Sequence, residues 1–143
     1  MNTLRDEKLI AMGLGVLENK KAAVIGCGGL GGYVLDMLAR FGVGAITVVD
    51  DDIVDAANFN RQLRAGGESL GKYKVNESVL WIKQVNPFVY VKGIVERINK
   101  DNAEKLLSDV DIVIDCVDNV ATKFVLQDAC EKLNIPLVHG AAE

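Results

Sequence analysis

Apolar and polar positions along the chain alternate between two kinds of block. Short, largely apolar runs predict buried strands at 21–26 (KAAVIG), 45–50 (AITVVD), 88–95, 111–116 (DIVIDC) and 136–139 (PLVH). Between them, apolar residues recur every three or four positions and predict amphipathic helices. One covers 29–41, with Val34, Leu35, Leu38 and Phe41 expected to face inward. A second covers 74–86, with Val75, Val79 and Ile82 on one face. A short one covers 101–107, and a fourth covers 119–133, with Ala121, Val125, Ala129 and Leu133 along one ridge. The segment 4–17 predicts an N-terminal helix and its exit. The stretch 51–72, rich in Asp, Asn, Arg and Gly, predicts irregular structure. The two prolines, Pro87 and Pro136, both fall at predicted element boundaries.

Strands of this apolar type, alternating with amphipathic helices, signal a parallel sheet covered on both faces. The expected class is therefore α/β, a doubly wound, mostly parallel sheet with a Rossmann-like nucleotide-binding fold. In that architecture ligands bind beyond the carboxyl ends of the strands. The polar clusters fall there, just after Gly26, Asp50 and Cys116.

With 143 residues, half of them hydrophobic and a quarter charged, the chain can build one compact domain. It has no apolar run long enough to span a membrane. Residues 1–7 are polar and lack a signal-peptide pattern, so a cytoplasmic location is expected. A net charge of −4 weighs against a nucleic-acid partner. Cys27, Cys116 and Cys130 are isolated, with no C-x-x-C pair, and read as small apolar packers.

The first chemical cluster is Gly26-Cys27-Gly28-Gly29-Leu30-Gly31, which follows a strand and opens a helix. Glycines permit a tight turn and close approach of backbone to phosphate, and the helix N-terminus offers free N–H groups. This motif does not separate NAD, FAD and ATP. The second is Asp50-Asp51-Asp52. Asp50 directly ends the apolar run and is placed to accept from ribose hydroxyls, which disfavours a 2′-phosphate.

The third cluster departs from a dehydrogenase. Asn58-Phe59-Asn60-Arg61-Gln62 is followed by Lys72 and Lys74. A triphosphate needs cations, whereas a dinucleotide has no general use for them here. Arg61 can bind phosphate bidentately, and Lys74 serves as a point charge. Lys72 reads as a solvated lysine. The fourth cluster is Asp115-Cys116-Val117-Asp118-Asn119. Asp118 is suited to hold Mg²⁺ and is equally placed to cap the helix near Asn119. Asp115 reads as structural, and His139 as a satisfied, partly buried residue.

Together, in this order and spacing, these clusters resemble the ThiF/MoeB/HesA family, the bacterial relatives of ubiquitin-activating enzymes. The resemblance runs from about Lys20 to Ala142. It rests on G-x-G-G-L-G at 26–31, D-x-D at 50–52, N-x-x-R-Q at 58–62, Lys74 before a helix ending Asn86-Pro87, and C-x-D-N at 116–119. It implies one ATP-binding adenylation domain over 1–143. It also implies Mg·ATP-dependent adenylation of the C-terminal glycine carboxylate of a ubiquitin-like sulfur-carrier protein, with release of pyrophosphate. By the same resemblance Asp50, with Asp52 beside it, is the ribose-side acid. Gly26, Gly28, Gly29, Leu30 and Gly31 form the phosphate turn. Asn58, Arg61, Gln62 and Lys74 contact phosphate, and Asp118 is the Mg²⁺-linked acid. Arg61, Lys74 and Asp118 carry the catalysis.

A homodimer is implied as well. The family's N-terminal arginines that reach a partner subunit are represented only by Arg5, and Lys123 stands where an arginine is common. The chain stops at Glu143, before the family's crossover loop, its frequent cysteine and the paired C-x-x-C motifs that bind zinc in many members. A fragment is expected, with zinc only in the missing C-terminal part. Two other classes compete: an NAD-dependent oxidoreductase, against which Arg61, Lys74 and Asp118 speak, and a non-catalytic nucleotide-binding module. One branch of the family activates a carboxylate on a tRNA base, and the acidic balance weighs against it.

Overall fold

A computed structural model describes residues 14–141. Five parallel strands, β1 Lys21–Ile25, β2 Ala45–Val49, β3 Tyr90–Ile94, β4 Ile112–Asp115 and β5 Leu137–His139, lie in the order β3-β2-β1-β4-β5. Four α-helices connect them: α1 Gly29–Phe41, α2 Lys74–Val85, α3 Ala103–Leu107 and α4 Val120–Leu133. The chain order reverses between β1 and β4, and a crevice opens at such a switch point.

Successive residues of a strand face opposite sides of the sheet, and the core divides accordingly. Ala22 and Val24 of β1 pack with Ile46 and Val48 against Leu35 and Ala39 of α1 and Val75 and Ile82 of α2. Ala23 and Ile25 pack with Val49 and Val113 against Leu107 of α3 and Leu126 and Ala129 of α4. Both faces are thus covered, which is why β1, β2 and β4 read as apolar runs rather than alternating ones.

Several expectations need correction. Phe41 is 52% exposed. The buried arc of α1 runs through Gly31, Leu35 and Ala39, and at 3.6 residues per turn Phe41 lies well round from it. On α4 the buried residues are Leu126, Ala129 and Cys130, while Ala121 is exposed. The helix turns its Leu126 side to the sheet, and Ala121 sits about 140° away. Phe88 lies outside β3, which is an edge strand with Tyr90, Lys92 and Gly93 exposed. Of the predicted helix at 4–17, residues 4–13 lie outside the described residues, and Leu14–Asn19 is a 3₁₀ helix. The irregular stretch contains one further 3₁₀ turn, Ala56–Asn58.

Two glycines set the geometry of the first turn. Gly26 leaves β1 with φ +90, and a Cβ there would meet the Cys116 carbonyl oxygen at 2.8 Å. A Cβ on Gly31 would run into the carbonyl oxygen of Gly26. The N-terminus of α1 can lie this close to β1 only because neither position has a side chain.

Candidate active site

At the carboxyl edge of the sheet a cleft of about 970 Å³ spans the switch point, within the range of small-molecule sites. Its floor is the glycine turn, with Gly26, Gly28, Gly29 and Leu30 in its lining. Asp50 and Asp52 from the end of β2, Arg61 and Gln62 from the irregular stretch, and Lys74 from the start of α2 line one side. Asp118 and Lys123, before and within α4, line the other. Arg61, Lys74 and Asp118 therefore share one cavity.

Arg61 and Gln62 overhang the glycines. The Gln62 amide nitrogen lies 3.4 Å from where a Gly28 Cβ would stand, and Arg61 Cγ lies 3.7 Å from the corresponding point on Gly29. Arg61 Nη1 donates to the Ala57 carbonyl at 2.9 Å and to Asn60 Oδ1 at 3.1 Å. Its exposed guanidinium keeps further donors. Lys74 is anchored twice to Asp52. Its backbone N–H donates to the Asp52 carbonyl at 3.0 Å, and its buried Nζ lies 2.9 Å from Asp52 Oδ2.

Asp50 shapes the turn. Its Oδ2 accepts from the backbone N–H of Cys27 at 2.8 Å, with Cys27 Sγ 3.4 Å away, and its Oδ1 accepts from Asp52 N–H at 2.8 Å. Burial, with the Asp50 charge adding to it, pushes the Cys27 thiol up, so it stays protonated. Burial and then the Asp115 charge push Cys116, at the cleft wall, up to about 11. The three cysteines are free.

The carboxylates of Asp50, Asp51 and Asp52 gather within 4.8 Å of one another. Asp51 is paired with Arg97 at 3.0 Å and Asp52 with Lys74. Asp118, by contrast, is exposed to the cleft, and among the described residues nothing hydrogen-bonds its carboxylate. Helix capping falls to its neighbour, since Asn119 Oδ1 accepts from Thr122 N–H at 2.8 Å. The alternative role of Asp118 as a cap is thereby excluded. A hard cation bridged to phosphate needs an oxygen ligand with free lone pairs, and Asp118 meets that requirement.

Two expected site residues stand behind the cleft. Asn58 is 8% exposed and outside the cleft lining. It forms a capping box with Asp55, accepting at Oδ1 from Asp55 N–H at 3.0 Å, and so shapes the turn that presents Arg61. Gly31 is also outside the lining and serves helix–strand contact. Among the described residues, Lys72 pairs only with Glu77, at 3.8 Å. His139 is more exposed than expected, with Nδ1 2.7 Å from Asp115 Oδ2.

Sequence reasoning missed Arg97, which follows β3, and Thr122, Gly140 and Ala141 in the lining. The signal available was positional: each follows a strand's carboxyl end or opens α4, where an open α/β sheet places its ligands.

A doubly wound parallel sheet, a glycine turn opening a helix and a cleft at the switch point lined by charges of both signs define a Rossmann-like α/β protein. The chain belongs to the ThiF family, whose model matches residues 5–143. The SAMP-activating enzyme E1 of Haloferax volcanii is 37% identical over 129 residues, covering 90% of this chain and 48% of that protein. The adenylyltransferase and sulfurtransferase UBA4 of Candida albicans is 36% identical over 125 residues, covering 87% of this chain and 28% of that protein. Among solved structures, E. coli tRNA N6-threonylcarbamoyladenosine dehydratase, TcdA, in complex with ATP matches with a TM-score of 0.86 and 34% identity, over 96% of this chain and 55% of that one. The chain thus spans about half, or less, of the length of these relatives.

Proposed function

We infer that this chain is the nucleotide-binding part of an ATP-dependent adenylyltransferase. Its substrate is the C-terminal glycine carboxylate of a ubiquitin-like sulfur-carrier protein. One observation carries the reading: Arg61, Gln62 and Lys74 face Asp118 across a single cleft floored by the glycine turn. Relatives named as an E1 and as adenylyltransferases support it, as does a structural neighbour holding ATP.

In this reading a carboxylate oxygen attacks the α-phosphorus, the bond to the leaving oxygen breaks, and acyl-adenylate and pyrophosphate result. Asp50 accepts from the ribose hydroxyls. Backbone N–H groups of the turn meet phosphate, and Arg61, Gln62 and Lys74 hold the charge that develops on the departing pyrophosphate. Asp118 is the residue that would hold Mg²⁺, and that ion would offset phosphate charge.

A homodimer in the cytoplasm completes the proposal. Exposed Tyr33, Met37 and Phe41, four residues apart on one side of α1, offer an apolar stripe for a second copy. Among the described residues no helix is long and apolar enough to cross a membrane.

The test is ATP–pyrophosphate exchange, with and without a carrier ending in Gly-Gly. Carrier-dependent exchange is expected, and Arg61→Ala should lower it about 100-fold. Binding of NADH in preference to ATP, or exchange driven by tRNA instead of carrier, would refute this assignment.

A further inference from the structure

Asp115 ends β4 and is fully buried, 0% exposed. A buried carboxylate must find partners, and these come from three elements. Its Oδ1 accepts from Val117 N–H at 3.0 Å. Its Oδ2 accepts from Lys123 Nζ of α4 at 2.9 Å and lies 2.7 Å from His139 Nδ1 of β5. Its backbone carbonyl accepts from Gly140 N–H at 2.7 Å.

Lys123 closes the ring. The same Nζ that meets Asp115 also donates to the Gly140 carbonyl at 2.8 Å. A cation early in a helix opposes the positive end of the helix dipole, so its placement there calls for a reason. The ring encloses the turn that carries Asp118. That turn is pinned on one side by the bond from Val117 to Asp115 and on the other by the Asn119 cap. Gly140 packs close against the glycine turn, since a Cβ there would meet Leu30 Cδ2.

We propose that Lys123 is a positioning residue: by bridging the Asp115 carboxylate to the Gly140 carbonyl, it fixes the 117–119 turn, and with it the Asp118 carboxylate, against the β5 wall of the cleft. The ammonium touches protein oxygens on both sides and acts through them. This deepens the adenylation reading and, for its effect on turnover, rests on it.

The test compares the full chain with Lys123→Met and with the double variant Asp115→Asn/Lys123→Met. The double variant removes the buried charge together with its partner, so it separates charge balance from bridging. Backbone amide exchange reads the turn directly, without any activity. Protection at Val117 and Gly140 should fall about 10-fold in both variants, while Val24 and Val48 in the double variant stay near wild type. In pyrophosphate exchange, kcat should fall about 10-fold in both, with KM for ATP changing little.

Unchanged protection at Val117 and Gly140 would overturn the proposal. So would a double variant that regains full kcat, since Lys123 would then only balance a charge. A wild-type chain that binds ATP but shows no exchange under any condition would instead defeat the adenylation reading. The amide-exchange arm would still decide whether Lys123 holds the turn.

Discussion

Asp115 and Asp118 lie three residues apart, yet replacing each with Asn should have opposite consequences. The amide keeps the size of the side chain and removes its charge. At Asp115 the loss falls on a fully buried group bonded to Lys123, beside His139 and Val117. Asn can still accept from Val117, but it strips Lys123 of its anion. Removing one partner of such a buried pair costs several kcal/mol when both charges are deep. Lys123 retains 23% side-chain exposure, so water relieves part of this. The expected loss is about 2–3 kcal/mol, a fall in Tm of roughly 5–10 °C for a chain of this length. Asp118→Asn breaks no hydrogen bond to a described residue and should leave Tm within about 1 °C. Its exchange rate should nevertheless drop about 100-fold or more, through loss of the carboxylate that meets the metal. Thermal melts monitored by circular dichroism, together with ATP–pyrophosphate exchange on both variants, decide the matter. An Asp118→Asn chain that melts early with full activity, or an Asp115→Asn chain as stable as wild type, would refute the division of labour between the two acids.

Four further outcomes follow from the geometry. Gly31→Ala should cost about 1–3 kcal/mol in urea unfolding, because the new methyl meets the Gly26 carbonyl oxygen. Gly29→Ala finds its nearest neighbour at 3.7 Å and should fold within about 0.5 kcal/mol of wild type. Its ATP affinity, by calorimetry, should fall about 10-fold as a side chain enters the phosphate turn. Asp36 accepts from Arg40 at 2.8 Å and from Trp81 Nε1 at 2.7 Å, and the Arg40 bond is the leading cause that holds its carboxyl below the usual range. A depressed carboxylate stabilises the fold above its unfolded value and loses that contribution as pH falls through its folded one. Asp36→Asn should therefore be about 1–3 kcal/mol less stable at pH 7, and the gap should close as pH drops below about 4. Denaturation curves at several pH values would show a constant gap if this is wrong. The Cys116 thiol, held up at about 11 by burial, should react with iodoacetamide at neutral pH about 100-fold more slowly than an ordinary cysteine. A rate profile that turns over near pH 8.5 would contradict this.

What the sequence determined by itself was local. Apolar runs located β1, β2 and β4 because both faces of the sheet are covered. Glycine spacing located the turn after β1, because only a residue without Cβ fits between that turn and the neighbouring backbone. The charge pattern picked out Arg61, Lys74 and Asp118 before their cleft was visible. What the tertiary structure decided were pairings between residues far apart in the chain. Arg97 meets Asp51 across 46 positions, and Lys123 meets Gly140 across 17. Such contacts depend on β3 lying beside β2 and β5 beside β4, and no local periodicity encodes strand order. Asn58 shows the same limit at short range. A phosphate ligand and a turn cap require the same amide, and only the backbone at Asp55 determined which role it took.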